Sequence, residues 1–138
     1  MDRKLFLKTS CALCGLAGAV AFIESCKKNK MSTTPQGPTV NFTLDLSQPA
    51  NASLNTSGNS LASQGVIIVN MGGAYIAIAE ACTHAGCNIT YAKSSNNFVC
   101  PCHGGTFDTN GKVTGGPPLA PLKKYTVTQS GTILTIAG

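Results

Sequence analysis

Cys82-Thr83-His84-Ala85-Gly86-Cys87 and Cys100-Pro101-Cys102-His103-Gly104-Gly105 are the two stretches of this chain where metal- or redox-competent side chains crowd together. Between them they hold both histidines and four of the seven cysteines. In each box a thiol and an imidazole stand two or three residues apart, close enough to bind one centre. Two thiolates with two imidazoles suit a tetrahedral zinc ion or an iron–sulfur cluster of mixed ligation. Each box also has a cysteine to spare, Cys87 and Cys102, and zinc gives that pair no role. A purely disulfide reading would use all four cysteines. It would not call for a histidine at a matched offset in both boxes.

The elements that must position these boxes read as strands. Thr39 to Leu46 alternates, with Val40, Phe42, Leu44 and Leu46 on one face. Ser47 to Gln64 is rich in Ser, Asn and Ala and reads as a long loop with room for a short strand. Val66–Val69 and Tyr75–Ala79 are strands joined near Gly72-Gly73, and the first box follows directly from the second of them. Asn88–Tyr91 and Phe98–Cys100 form a hairpin around Ser94–Asn97. Thr109-Asn110-Gly111 is a turn, its Asn-Gly suited to positive φ. Lys123–Thr128 and Thr132–Ile136 close the chain as a hairpin through Ser130-Gly131. No helical periodicity appears after Cys26. The fold class expected is all-β, with stacked antiparallel sheets.

The ordered boxes, C-T-H-x-G-C and then C-P-C-H-G, resemble those of Rieske 2Fe–2S proteins of the high-potential, disulfide-containing type. These include the iron–sulfur subunits of cytochrome bc-type complexes and the small subunit of arsenite oxidase. The resemblance runs from about Val66 to the C-terminus. It takes in Thr106-Phe107-Asp108, Asn110-Gly111-Lys112-Val113 and Gly116-Pro117-Pro118-Leu119, which resemble the family's turn after the second box and its Pro-rich covering loop. It implies a 2Fe–2S cluster at the tip of the domain. Cys82 and Cys100 would bind the inner iron, and His84 and His103 the outer one. Cys87 and Cys102 would form a disulfide joining the two loops. Neutral imidazoles in place of two thiolates make the cluster less negative, and Rieske potentials accordingly lie at about −150 to +300 mV. A ring proton on the non-ligating nitrogen would couple electron and proton affinity, so the potential would fall as pH rises into the histidine range.

Three positions depart from the family pattern. Gly105 stands where many quinol-oxidising members carry a serine that donates to a bridging sulfide. Phe107 stands where a tyrosine often donates to a ligand sulfur. Missing donors to sulfur imply an intermediate potential. Ala85 replaces a frequent leucine at the docking tip. Nearby, Thr83, Thr106 and Asp108 read as turn residues that satisfy backbone groups. Gly86, Gly104 and Gly105 permit close backbone approach or positive φ. Lys93, Lys112, Lys123 and Lys124 read as a solvated face.

The front end reads as targeting sequence. Arg3-Lys4-Leu5-Phe6-Leu7-Lys8 resembles a twin-arginine export motif with lysine in the second basic place. The apolar run from Cys11 to Ile23 is shorter than the ~20 residues of a membrane helix and suits a signal core. Ile23-Glu24-Ser25-Cys26 resembles a lipoprotein processing site, which would make Cys26 the lipidated first residue of the mature chain. An uncleaved anchor is the alternative. The organisation expected is a signal or anchor over 1–26, a flexible linker over 27–38 and one domain over 39–138. An oxidising compartment outside the cytoplasm would let the Cys87–Cys102 bridge persist.

The formal charge of +5 belongs mostly to the front end. After residue 38, four lysines face Asp45, Glu80 and Asp108, a net of +1. Without a basic stripe or many aromatics, nucleic acid is not an expected partner. The resemblance implies a membrane-tethered one-electron subunit or carrier of a quinol- or cytochrome-linked chain, exported and without bond chemistry of its own. A b- or c-type cytochrome, a molybdopterin oxidase subunit or quinol would be its partner. A ferredoxin of an oxygenase system and a zinc-stabilised lipoprotein binding module are the alternatives. An oxygenase would need a second iron site with further histidines, and none remain.

Overall fold

The computed structural model describes Pro35 and residues 37–138. The export motif, the apolar run, Cys26 and most of the linker lie outside the described residues. Among the described residues, no helix is long and apolar enough to cross a membrane.

Among the described residues, ten strands build two antiparallel sheets. They are β1 (Asn41–Asp45), β2 (Ser60–Ser63), β3 (Val66–Asn70), β4 (Tyr75–Ala79), β5 (Thr90–Ala92), β6 (Asn97–Val99), β7 (Thr106–Phe107), β8 (Val113–Gly115), β9 (Lys124–Ser130) and β10 (Ile133–Ala137). The larger sheet runs β1-β10-β9-β4-β3-β2 and the smaller β5-β6-β7-β8. The larger sheet narrows in its middle, where β4 and β9 share only the pairs Ala77↔Tyr125 and Ile78↔Lys124.

β3 shows why the sheets must stack. Its run Val66-Ile67-Ile68-Val69 is apolar at every position and buried at every position. Strands alternate their side chains between faces, so a strand of this kind needs cover on both. Val66 and Ile68 join Phe42, Leu44, Leu54, Leu134 and Ile136 in one core. Ile67 and Val69 point the other way, into a second core with Ile78, Ile89, Phe98, Phe107 and Leu122. Cys82 and Cys100 belong to that second core, so both boxes are rooted in buried apolar packing.

The expected strands are present within a residue or two of their expected ends. The stretch read as a loop over 47–64 is more ordered. Pro49–Asn55 form a 3-10 helix with proline in its first turn, Leu54 is buried, and β2 follows. Asn51 and Asn55 hold the helix by donating to the carbonyls of Asp45 and Leu46 at 2.8 and 3.0 Å. Buried Asn70 ties β3 to it, donating to the Leu54 carbonyl at 2.8 Å. Two residues expected in the linker, Gly37 and Pro38, are seated on the domain. The Tyr125 hydroxyl donates to the Pro38 carbonyl at 2.7 Å, and burial raises the Tyr125 pKa.

Candidate metal centre

The two boxes fold as the same turn. The Cys82 N–H donates to the carbonyl five residues on, at Cys87 (2.8 Å), and its own carbonyl accepts from Gly86 (2.9 Å). Cys100 repeats this, donating to Gly105 at 2.7 Å and accepting from Gly104 at 3.0 Å. The closing glycines, Gly86 and Gly104, have φ of 75° and 71°, a region where a side chain is strained. Each turn wraps its first thiol in backbone donors. The N–H groups of His84 and Ala85 point at the Cys82 sulfur, and those of Cys102 and His103 at the Cys100 sulfur.

These donors act unequally on the two thiols. Burial pushes the Cys82 thiol up, and its neighbour Cys100 pushes it the same way. At Cys100 burial also opposes ionisation. There the N–H donors, together with a hydrogen bond from Cys82, prevail and hold the thiol below its ordinary value. Of the two thiols, Cys100 is the one whose surroundings favour ionisation.

The imidazoles face outward while the thiols face inward. Cys82 and Cys100 are buried, and His84 and His103 are exposed. The two histidine rings meet nearly edge to face at an interplanar angle of 86°. Their Nδ1 atoms lie 3.3 Å apart. Two nitrogens bound at about 2.0–2.1 Å to one tetrahedral ion would stand about 3.3–3.4 Å apart, so this spacing fits a shared metal. Cys87 and Cys102 form a disulfide with Cα atoms 6.5 Å apart, joining the two turns.

The donor set divides into a buried sulfur pair and an exposed nitrogen pair. Among the described residues, the triad of ligand atoms within 4.8 Å of one another is Cys87, Cys100 and Cys102. Two of those sulfurs are bonded to each other, so the triad offers a single thiolate. The remaining donors are the buried Cys82 thiol and the exposed His84 and His103 imidazoles. All ligands of one tetrahedral zinc would lie within about 3.8 Å of each other. A two-metal cluster, with one pair at each end, suits this arrangement better than a single ion.

A third loop covers the turns. The Thr83 hydroxyl donates to the Ala120 carbonyl at 2.7 Å, across 37 residues of sequence. Pro118 is fully buried against Gly105. Thr83 is thus a clamp between the first box and the covering loop, rather than the local turn residue its sequence position suggests. Asp108 does act locally, accepting from the N–H groups of Asn110 (2.8 Å) and Lys112 (2.9 Å).

The Rieske [2Fe-2S] domain model matches residues 42–126, well over half of the chain. The chain belongs to the Rieske [2Fe-2S] domain family. Its cofactor is accordingly a Rieske-type 2Fe–2S cluster, and the disulfide between the two boxes is part of the fold. The cytochrome b6-f complex iron-sulfur subunit of Chlorobaculum thiosulfatiphilum is 39% identical over 72 residues, covering 52% of this chain and 40% of that protein. The matched segment thus spans less than half the length of that relative. Among solved structures, the plasma membrane Rieske protein of the cyanobacterium Synechocystis PCC 6803 aligns with TM-score 0.54 and 33% identity, over 63% of this chain and 93% of that one. The ferredoxin of carbazole 1,9a-dioxygenase from Nocardioides aromaticivorans IC177 aligns with TM-score 0.52 and 28% identity, over 62% of this chain and 91% of that one.

Proposed function

We propose that this Rieske protein is a one-electron carrier of a quinol- or cytochrome-linked membrane chain. In this reading Cys82 and Cys100 hold the cluster from the buried side, and His84 and His103 hold it from the exposed side. The observation that carries the reading is the pair of outward-facing imidazoles 3.3 Å apart, set over two buried thiols. The cluster supplies reversible one-electron chemistry when bound. The chain's own residues do the rest. Backbone donors from His84, Ala85, Cys102 and His103 stabilise negative charge on the ligand sulfurs. The disulfide and the Thr83 clamp hold three loops around them. The exposed histidine edges offer the short route for an electron to a docked partner.

A b- or c-type cytochrome is the partner favoured by the likeness to a cytochrome b6-f complex subunit. Quinol and a molybdopterin oxidase subunit remain within the same proposal. Export, and tethering through a lipid on Cys26 or through an uncleaved anchor, are supported by the N-terminal motifs alone. The likeness to a dioxygenase ferredoxin supports a second reading, a ferredoxin component of an oxygenase system. Iron and acid-labile sulfide analysis of the full-length protein, with an EPR-monitored redox titration, separates these readings. A Rieske signal with a positive potential supports the membrane-chain carrier. A clearly negative potential supports the ferredoxin. Zinc without sulfide would leave only a zinc-stabilised binding module.

A further inference from the structure

Gly105 is buried, and its backbone is free of the left-handed strain that would demand glycine. Space is what demands it. A Cβ on residue 105 would stand 2.6 Å from Pro118 Cγ and 2.9 Å from Pro118 Cδ. Contacts this short force something to move. The proline ring is rigid and fully buried, so it cannot swing aside as a flexible side chain would. The same Cβ would lie 3.6 Å from Cys100 Cβ, so a side chain at residue 105 would sit beside that thiol. The backbone on either side is equally tight. Gly116, at φ +81°, lies where a Cβ would come within 2.6 Å of Gly105 Cα and 2.8 Å of the Gly104 carbonyl oxygen. The Gly105 carbonyl accepts the Cys100 N–H at 2.7 Å, so displacing residue 105 disturbs the turn that holds Cys100.

We infer that Gly105 and Pro118 are a matched positioning pair. The Pro118 ring fills the space that a side chain on residue 105, beside Cys100, would need. The covering loop thereby closes the buried Cys100–Gly105 side of the second box and leaves no room there for a hydroxyl donor. The potential of this protein is then set by the pair together, and a hydroxyl at residue 105 acts only when Pro118 gives way. The redox half of this inference rests on Cys100 being a cluster ligand, as proposed above. The packing half does not.

The test uses the full-length holoprotein as wild type, Gly105→Ala, Gly105→Ser, Pro118→Ala and the double variant Gly105→Ser/Pro118→Ala. Tm, the rate of cluster bleaching by an iron chelator, and the midpoint potential are measured on each. Gly105→Ala and Gly105→Ser should both lower Tm by about 4 °C or more and speed bleaching several-fold, with no rise in potential. The double variant should recover much of that Tm, a non-additive result expected of residues in contact, and its potential should exceed that of Pro118→Ala. Gly105→Ser that keeps wild-type Tm and raises the potential by itself would overturn the inference. So would strictly additive losses. Should the Gly105 variants fail to fold, Pro118→Ala alone still decides. Hydrogen exchange at the Cys100 amide should quicken at least several-fold, and unchanged exchange would refute the pairing. If no cluster is found in any protein, the Tm coupling still tests the packing, and the ligand assignment fails separately.

Discussion

Thr83→Val replaces a hydroxyl by a methyl of nearly the same size, so it removes the clamp while keeping the volume. The Thr83 hydroxyl donates to the Ala120 carbonyl at 2.7 Å, and Ala120 is buried at 8% exposure. Leaving a buried acceptor unpartnered costs about 1–3 kcal/mol. Thr83 is itself half-buried, and water entering from its side would offset part of this, which favours about 1–2 kcal/mol. In a domain of roughly 100 residues each kcal/mol moves Tm by about 4–8 °C, so Thr83→Val should melt about 5–15 °C below wild type. The covering loop should loosen first, since the clamp joins it to the first box. Cluster bleaching should therefore precede loss of far-UV circular dichroism in the variant and coincide with it in wild type. Loss of a bound cofactor makes melting irreversible, so all scans need one rate. Thr83→Ser keeps the donor and should melt close to wild type. Thr83→Val within about 2 °C of wild type, bleaching together with unfolding, would refute the clamp.

Cys87→Ser should release the two turns from each other. A closed loop of this size is worth about 3 kcal/mol in chain entropy, so Tm should fall and cluster half-life should shorten at least tenfold, as read by absorbance decay. Phe107→Tyr adds a hydroxyl to a fully buried ring in the core that contains Cys82 and Cys100. A new donor to sulfur worth about 0.5–1.5 kcal/mol in favour of the reduced state would raise the midpoint potential by roughly 20–60 mV in a redox titration. Residues 81–92, 94–107 and 113–122 carry no Lys, Arg, Asp or Glu, so these segments bring no acidic or strongly basic side chain to the cluster end. Electron transfer through it to a purified cytochrome should change less than about twofold between low and physiological salt in stopped-flow, because there is little charge to screen. Tyr125 is held above its ordinary pKa by burial, so the folded state keeps its proton longer than the unfolded chain does. Stability from this source is complete below about pH 10 and is lost as pH rises through the folded value. Tyr125→Phe should flatten that alkaline loss in urea titrations.

The chemistry of the site was legible because it rests on local spacing. The two boxes, the spare cysteine pair and the Gly-Pro loop are all short-range patterns, and the resemblance they support is met by the family match over residues 42–126. The strands were legible for the same reason. Val66 to Val69 is a short apolar run and Phe42 to Leu46 alternates, and each folds as its period requires. The 3-10 helix at Pro49–Asn55 was not, because only Leu54 is buried and the turn is held by amide side chains reaching other segments. The Thr83 clamp was out of reach because its partner lies 37 residues away, so nothing near Thr83 marks it. Gly105 was legible as an absent donor. Its reason, the buried Pro118 ring, depends on how the third loop closes.

The ligand assignment is tested most directly by pulsed EPR on the reduced full-length protein labelled with 15N at histidine. Nitrogen couplings from two histidines should appear with their isotope shift, and one should vanish in His84→Cys, accompanied by a lower potential if the cluster survives. Equal iron and acid-labile sulfide with no histidine nitrogen coupling would contradict the assignment of His84 and His103.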